Sequence, residues 1–192
     1  MLAQRKGRLR ERVGRHQGER QSALLIAVPE VDPLIRSLGV PPAGNGLPPH
    51  VTVLYPFLPP PTLGPSVDEA LARLLGAHRA FDFALTGLGT FPGVVWLAPE
   101  PDQPFLDLGD SVIAEWPDLA RYGGAYPSEV AHLTVARGRV RRSWRATVAA
   151  AVPIRARATE VLLMVEGPSG NWSLLRRFAL SGLGGSDVLQ GG

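Results

Sequence analysis

Twice the chain sets a histidine and a threonine two residues apart among apolar neighbours: His50-Val51-Thr52-Val53 and, eighty-two residues later, His132-Leu133-Thr134-Val135. Side chains alternate along an extended strand, so His50 and Thr52 share one face while Val51, Val53 and Tyr55 take the other. His132 and Thr134 share a face likewise, opposite Leu133 and Val135. Each tetrad therefore reads as a strand anchored by its apolar face and presenting a polar pair. Each is preceded by a helix and a loop and followed by a helix, a weak internal duplication. The expected fold is α+β and bilobal: two pseudo-symmetric lobes of antiparallel sheet with helices outside, and a central cleft carrying both motif strands.

The remaining segments fit that frame. Residues 1–20 lack apolar periodicity and read as a basic disordered arm, residues 21–181 as the two-lobed domain, and residues 182–192 as a glycine-rich tail. The apolar run Ser22–Val28 predicts a buried strand. Asp32, as a cap, and Pro33, at a first helical position, predict a short helix to Leu38. Ser66-Val67-Asp68-Glu69 spells a capping box, opening a helix to about His78. Strands are expected over Phe81–Leu88, Val94–Leu97, Ala131–Ala136, Ile154–Val165 and Trp172–Leu180, and helices over Phe105–Trp116 and Ser143–Val152.

Composition removes several chemistries. The chain has no cysteine, which excludes disulfides, thiolate nucleophiles and cysteine-ligated metals. Nineteen of its twenty basic residues are arginine, and Lys6 lies in the arm, so lysine-dependent ATP ligases and Schiff-base enzymes are excluded too. There is no run of eighteen apolar residues to span a bilayer, and the first twenty residues are charged where a signal peptide is apolar. A cytoplasmic location, no membrane partner and a monomer are expected. The formal charge of +3 divides unevenly: about +5 in residues 1–20, −8 in 21–136 and +7 in 137–177. Basic segments in the arm and straight after the second motif suit a phosphate-bearing partner.

Two imidazoles across a cleft are suited to phosphorus chemistry. One can take a proton from an incoming oxygen while the other protonates the departing one, and in-line displacement needs them on opposite sides. Threonine hydroxyls along the same face can hydrogen-bond the non-bridging oxygens. No carboxylate completes either motif as a metal site, and threonine is a poor ligand, so neither a metal nor a cofactor is expected.

The paired tetrads resemble the two signature motifs of the two-histidine phosphoesterase superfamily, particularly its RNA 2′,3′-cyclic phosphodiesterases, also called 2′-5′ RNA ligases. The stretch Phe81–Pro99, with Gly87-Leu88-Gly89-Thr90-Phe91 and Val95-Trp96-Leu97, is similar to what those proteins place between the motifs, and the likeness runs from about Ser22 to Leu180. It implies a metal-independent reaction in which His50 and His132 are acid and base and Thr52 and Thr134 hold the phosphate. For hydrolysis of a 2′,3′-cyclic phosphate to a 2′-phosphate, His132 is the expected base and His50 the expected acid. The roles interchange when the reaction runs backwards as an ATP-free ligation.

Further substrate contacts are expected from Tyr126, in the loop before the second motif, and from Arg137. Alternation places Arg137 opposite His132 unless the strand ends or bulges there. Tyr55 is a candidate for stacking on a base, though its face favours the core. The expected partner is RNA or a nucleotide bearing a cyclic phosphate or a 2′-5′ linkage. A cyclic phosphate on an ADP-ribose-like molecule is a rival substrate. A rival of another class is a non-catalytic RNA-binding module using the basic arm and Arg139, Arg141, Arg142 and Arg145.

Overall fold

A computed structural model describes residues 20–39, 45–119, 130–137 and 142–182. In chain order its main elements are β1 (Ser22–Ala27), α1 (Asp32–Ser37), β2 (His50–Leu54), α2 (Pro65–Gly76), β3 (Phe81–Phe91), β4 (Val94–Glu100), α3 (Gln103–Glu115), β5 (Leu133–Arg137), α4 (Arg142–Ala151), β6 (Ile154–Ala158), β7 (Glu160–Glu166) and β8 (Trp172–Ala179). The strands form one antiparallel sheet in the order β6-β3-β4-β5-β2-β1-β7-β8. Each half of four strands ends at the middle of the sheet in a motif strand, β5 from one half and β2 from the other. The α+β, two-lobed expectation holds, with both motifs at the junction.

One core joins the helices to the sheet. Val51, Val53 and Leu54 of β2 and Leu133, Val135 and Ala136 of β5 are buried in the same cluster as Leu71 and Leu75 of α2, Phe105 and Leu108 of α3, and Trp144 and Val148 of α4. Each fully buried leucine or phenylalanine contributes about 1.5–3 kcal/mol. The motif strands are thus held by their apolar faces, and their polar faces look away from the helices. On that other face lies a second, small cluster of Leu25, Leu162 and Met164, with Ala27, Leu47 and Trp172 packed against it.

The stretch Ile154–Val165, expected as one strand, is two. Thr159 interrupts it, β6 pairing with β3 at one edge and β7 with β1 in the other half. The Cα atoms of Ala158 and Glu160 can be only about 7 Å apart. In a flat sheet β6 and β7, six strand positions apart, would be separated by about 29 Å. The sheet therefore curls, and hydrogen bonds from Leu180 N–H to the Thr159 carbonyl (2.9 Å) and from Ala80 N–H to the Ser181 carbonyl (2.8 Å) tie its ends together.

Two helix starts differ from expectation. α2 opens with Pro65 at its first position after an extended Gly64, with no side-chain cap, so Ser66 lies inside the helix instead of capping it. Asp32 likewise falls within helical backbone, because a 3₁₀ turn over Pro29–Val31 runs directly into α1. The arm over 1–19, the tail over 183–192 and the residues Tyr126, Arg139 and Arg141 lie outside the described residues. No helix among the described residues is long and apolar enough to cross a membrane.

Candidate active site

The two motifs meet through one register pair, Val51 of β2 opposite Leu133 of β5. In antiparallel register this sets His50 across from Thr134 and Thr52 across from His132, all four on the face away from the helices. The imidazoles are then diagonal neighbours, with side-chain roots about 7–8 Å apart. One threonine lies across from each histidine. All four side chains are half-buried, within reach of a ligand.

Both rings are oriented by the same local contact. His50 Nδ1 lies 2.7 Å from the Pro48 carbonyl and His132 Nδ1 lies 2.9 Å from the Val130 carbonyl, in each case two residues back. A carbonyl can only accept, so each Nδ1 carries the proton and donates it. Proton exchange is thereby assigned to Nε2 in both residues. Burial pushes the His50 imidazole below its ordinary pKa; the Pro48 contact opposes this, and the charges of His132 and Arg137 add to the lowering.

Each motif strand carries a bulge, and the two bulges match. Pairing of β1 with β2 slips between Leu24 and Leu25, leaving Val53 and Leu54 both turned to the core. Pairing of β4 with β5 slips between Val95 and Trp96, and Val135 and Ala136 are likewise both buried. An extra residue shifts the phase of everything after it. Arg137 consequently stands on the histidine face, exposed and near enough for its charge to act on His50. Tyr55, expected on the core face, is turned out too: its ring meets Trp172 edge-on at 6.2 Å, among the small cluster beside β2. Burial, and then negative Glu166, push the Tyr55 phenol above its ordinary pKa, so it remains a donor at neutral pH.

Two aromatic residues not counted among the expected site residues touch His132, and a third lies against Tyr55. Trp96 meets His132 at 5.8 Å and Phe91 meets it at 5.5 Å, both edge-on, while Phe91 stacks on Trp96 at 5.2 Å. The indole lies flat over Gly89, its register partner, where an added β-carbon would enter the ring. On the other side, Trp172 N–H donates to the Asn45 carbonyl at 2.6 Å, tying the loop before the first motif to β8. Gly46 makes that turn possible, with a φ of +94° and no room for a β-carbon against the Trp172 carbonyl. The signal in the sequence was a glycine or aromatic at a defined place, readable only once strand register was known.

His78 lies near the end of α2, where its carbonyl accepts from Ser181, not at the seam. Arg142 and Arg145 belong to α4, with Arg145 exposed. Among the described residues no group of three or more histidine or carboxylate side chains is placed to hold a metal. A depression of about 640 Å³ along β6 and β3, lined by Asp82, Glu100, Arg155 and Arg157 among others, contains none of the motif residues.

Comparison with known proteins identifies a family and solved structures of similar fold. The family model described as the 2′-5′ RNA ligase superfamily matches residues 27–169. TT0787 of Thermus thermophilus superposes with a TM-score of 0.61 at 22% identity, over 85% of this chain and 99% of that one. Apo E. coli LigT gives 0.55 at 21%, over 85% and 99%, and its complex with 3′-AMP gives 0.54 at 20%, over 84% and 98%. No curated protein matches.

Proposed function

The chain belongs to the 2′-5′ RNA ligase superfamily, and from that premise we propose that it is a metal-independent phosphoesterase of 2′,3′-cyclic phosphates and 2′-5′ linkages in RNA or small nucleotides. The observation that carries this is the diagonal placement of His50 and His132 on one face with Thr52 and Thr134, each imidazole with Nδ1 held by a backbone carbonyl. Membership supports phosphoesterase or ligase activity; the rest follows from the chemistry of the residues. E. coli LigT has been solved with 3′-AMP, phosphate, ATP and NADP+, which favours a nucleotide in this cleft as well.

In hydrolysis of a 2′,3′-cyclic phosphate, His132 Nε2 takes a proton from water as the water oxygen attacks phosphorus. The bond to O3′ breaks in line, and His50 gives its Nε2 proton to that oxygen, leaving a 2′-phosphate. Thr52 and Thr134 hold the non-bridging oxygens, and Arg137 supplies positive charge to them. Burial lowers the His50 pKa, and the charge of His132 and the Arg137 cation add to the lowering. A bound phosphodiester anion offsets that cation and draws a proton onto His50, so the substrate itself charges the acid. A 5′-hydroxyl in the place of water gives ligation with the same two roles, which corrects the interchange expected above: the roles exchange only when the 2′-5′ bond is cleaved, by microscopic reversibility.

The test is incubation of 2′,3′-cyclic AMP and of a short RNA ending in a cyclic phosphate with wild type, His50→Ala and His132→Ala in chelator, followed by chromatography and phosphorus NMR. A 2′-phosphate from wild type alone is expected. No product from either substrate would overturn the reading, and RNA affinity that survives loss of both histidines would replace it with a binding module.

A further inference from the structure

Of the large hydrophobic residues exposed among the described ones, two stand at His132: Val130, whose carbonyl orients the ring, and Phe91, which meets it edge-on. Phe91 ends β3 and is 41% exposed, so its ring is not committed to the core. It stacks on Trp96, and Trp96 meets His132 in turn. The three rings touch pairwise, with centroids 5.2, 5.5 and 5.8 Å apart.

Strand register accounts for this corner. Trp96 is the partner of Thr134, which sets His132 diagonally across from it, within reach of a large ring. Gly89, the partner of Trp96 on the other side, has no side chain, so the indole settles flat over the β3 backbone. Phe91, on the same face as Gly89, stacks against the indole. The Trp96 Nε1–H is buried with no hydrogen-bond partner among the described residues. Packing by Gly89 and Phe91, and not a bond from its own N–H, therefore fixes where the indole lies.

These contacts complement the one hydrogen bond that His132 Nδ1 makes to Val130. A single neutral hydrogen bond is a modest restraint on a half-buried side chain. Rings packed against the imidazole fix its plane, and the Val130 carbonyl selects which way round it sits in that plane. Resting on the phosphoesterase reading, we propose that Phe91 and Trp96 are positioning residues for His132: they hold its imidazole so that the proton stays on Nδ1 and Nε2 faces the attacking oxygen. They act through His132 and not on the substrate. Their contribution is therefore to turnover, and it exists only while His132 is present.

The test measures single-turnover rates and KM on 2′,3′-cyclic AMP for wild type, Phe91→Leu and Phe91→Tyr, each also combined with His50→Ala and with His132→Ala. Phe91→Leu is expected to lower the rate about tenfold with KM little changed, and Phe91→Tyr, which keeps the ring, to match wild type. The same loss is expected beside His50→Ala and no further loss beside His132→Ala, because a residue that works through another has no effect once that partner is removed. An equal loss beside His132→Ala, or no loss in the otherwise wild-type chain, overturns the inference. Thermal melts verify that each variant is folded. Nitrogen NMR of the His132 ring in the free protein supplies a readout that needs no turnover: the neutral ring is expected as the Nδ1–H tautomer in wild type and Phe91→Tyr, and as a mixture with the Nε2–H tautomer in Phe91→Leu. Inactivity of wild type on cyclic AMP overturns the phosphoesterase reading, and an unchanged tautomer in Phe91→Leu overturns the positioning inference whatever the activity.

Discussion

Tyr55 and Arg137 occupy the same place in the two motifs, five residues after His50 and His132, and a bulge in each strand turns both onto the histidine face. Two successive side chains enter the core before each of them, Val53 with Leu54 and Val135 with Ala136. The duplication therefore extends beyond the tetrads to the irregularity that follows them. Its two copies differ in charge: one side of the cleft receives a phenol and the other a guanidinium.

That difference is measurable at His50. A nearby cation disfavours the protonated imidazole, so replacing Arg137 by glutamine is expected to raise the His50 pKa toward its ordinary value, without reaching it because burial is the larger cause. Histidine NMR titration of the free protein checks this. The neutral form of His50 should give way to the charged form at higher pH in the variant, and an unmoved titration would contradict the placement of Arg137.

Removal of either imidazole is expected to cost about 10²–10⁴ in turnover, since each carries one proton transfer. Thr52→Val and Thr134→Val each remove one hydrogen bond to a charged oxygen, about 1.5–3 kcal/mol, or roughly 10- to 150-fold. Single-turnover rates on a cyclic nucleotide, with circular dichroism to verify folding, establish whether the histidines outrank the threonines as stated.

Gly89→Ala should act at a distance from the chemistry. The new methyl group would displace the Trp96 indole, which touches His132, and small misplacements of a reacting group are costly. A drop in kcat of about tenfold or more is expected, together with a change in tryptophan emission. Gly64→Ala, where nothing lies near the added carbon, is the control.

The seam itself can be weakened. Leu133 is wholly buried and pairs with Val51, so Leu133→Ala is expected to destabilise the fold by about 2–5 kcal/mol. Urea unfolding measures this directly.

Much of this site is legible in the order of residues. His50, Thr52, His132 and Thr134 are marked by pattern, because strand alternation is local and needs only neighbouring residues. The proline at the start of α2 overrides a capping box four residues long, a local competition that pattern reading decides for the wrong residue. Alternation places Tyr55 and Arg137 on the wrong face, since a bulge is set by how two strands slip past each other and leaves no mark in either strand alone.

Amino-acid order alone established which residues are able to exchange protons and bind phosphate, that they come as two strands with an apolar side, and that cysteine and lysine chemistry are absent. What those residues face was left to the tertiary fold. The pairing of Val51 with Leu133 brought together segments eighty-two residues apart, two slips of register turned Tyr55 and Arg137 into the cleft, and the split at Thr159 sent β6 and β7 to opposite halves. The physical cause is the same in each case: side-chain direction along one strand follows from backbone geometry, whereas register between strands is settled by burying one shared core.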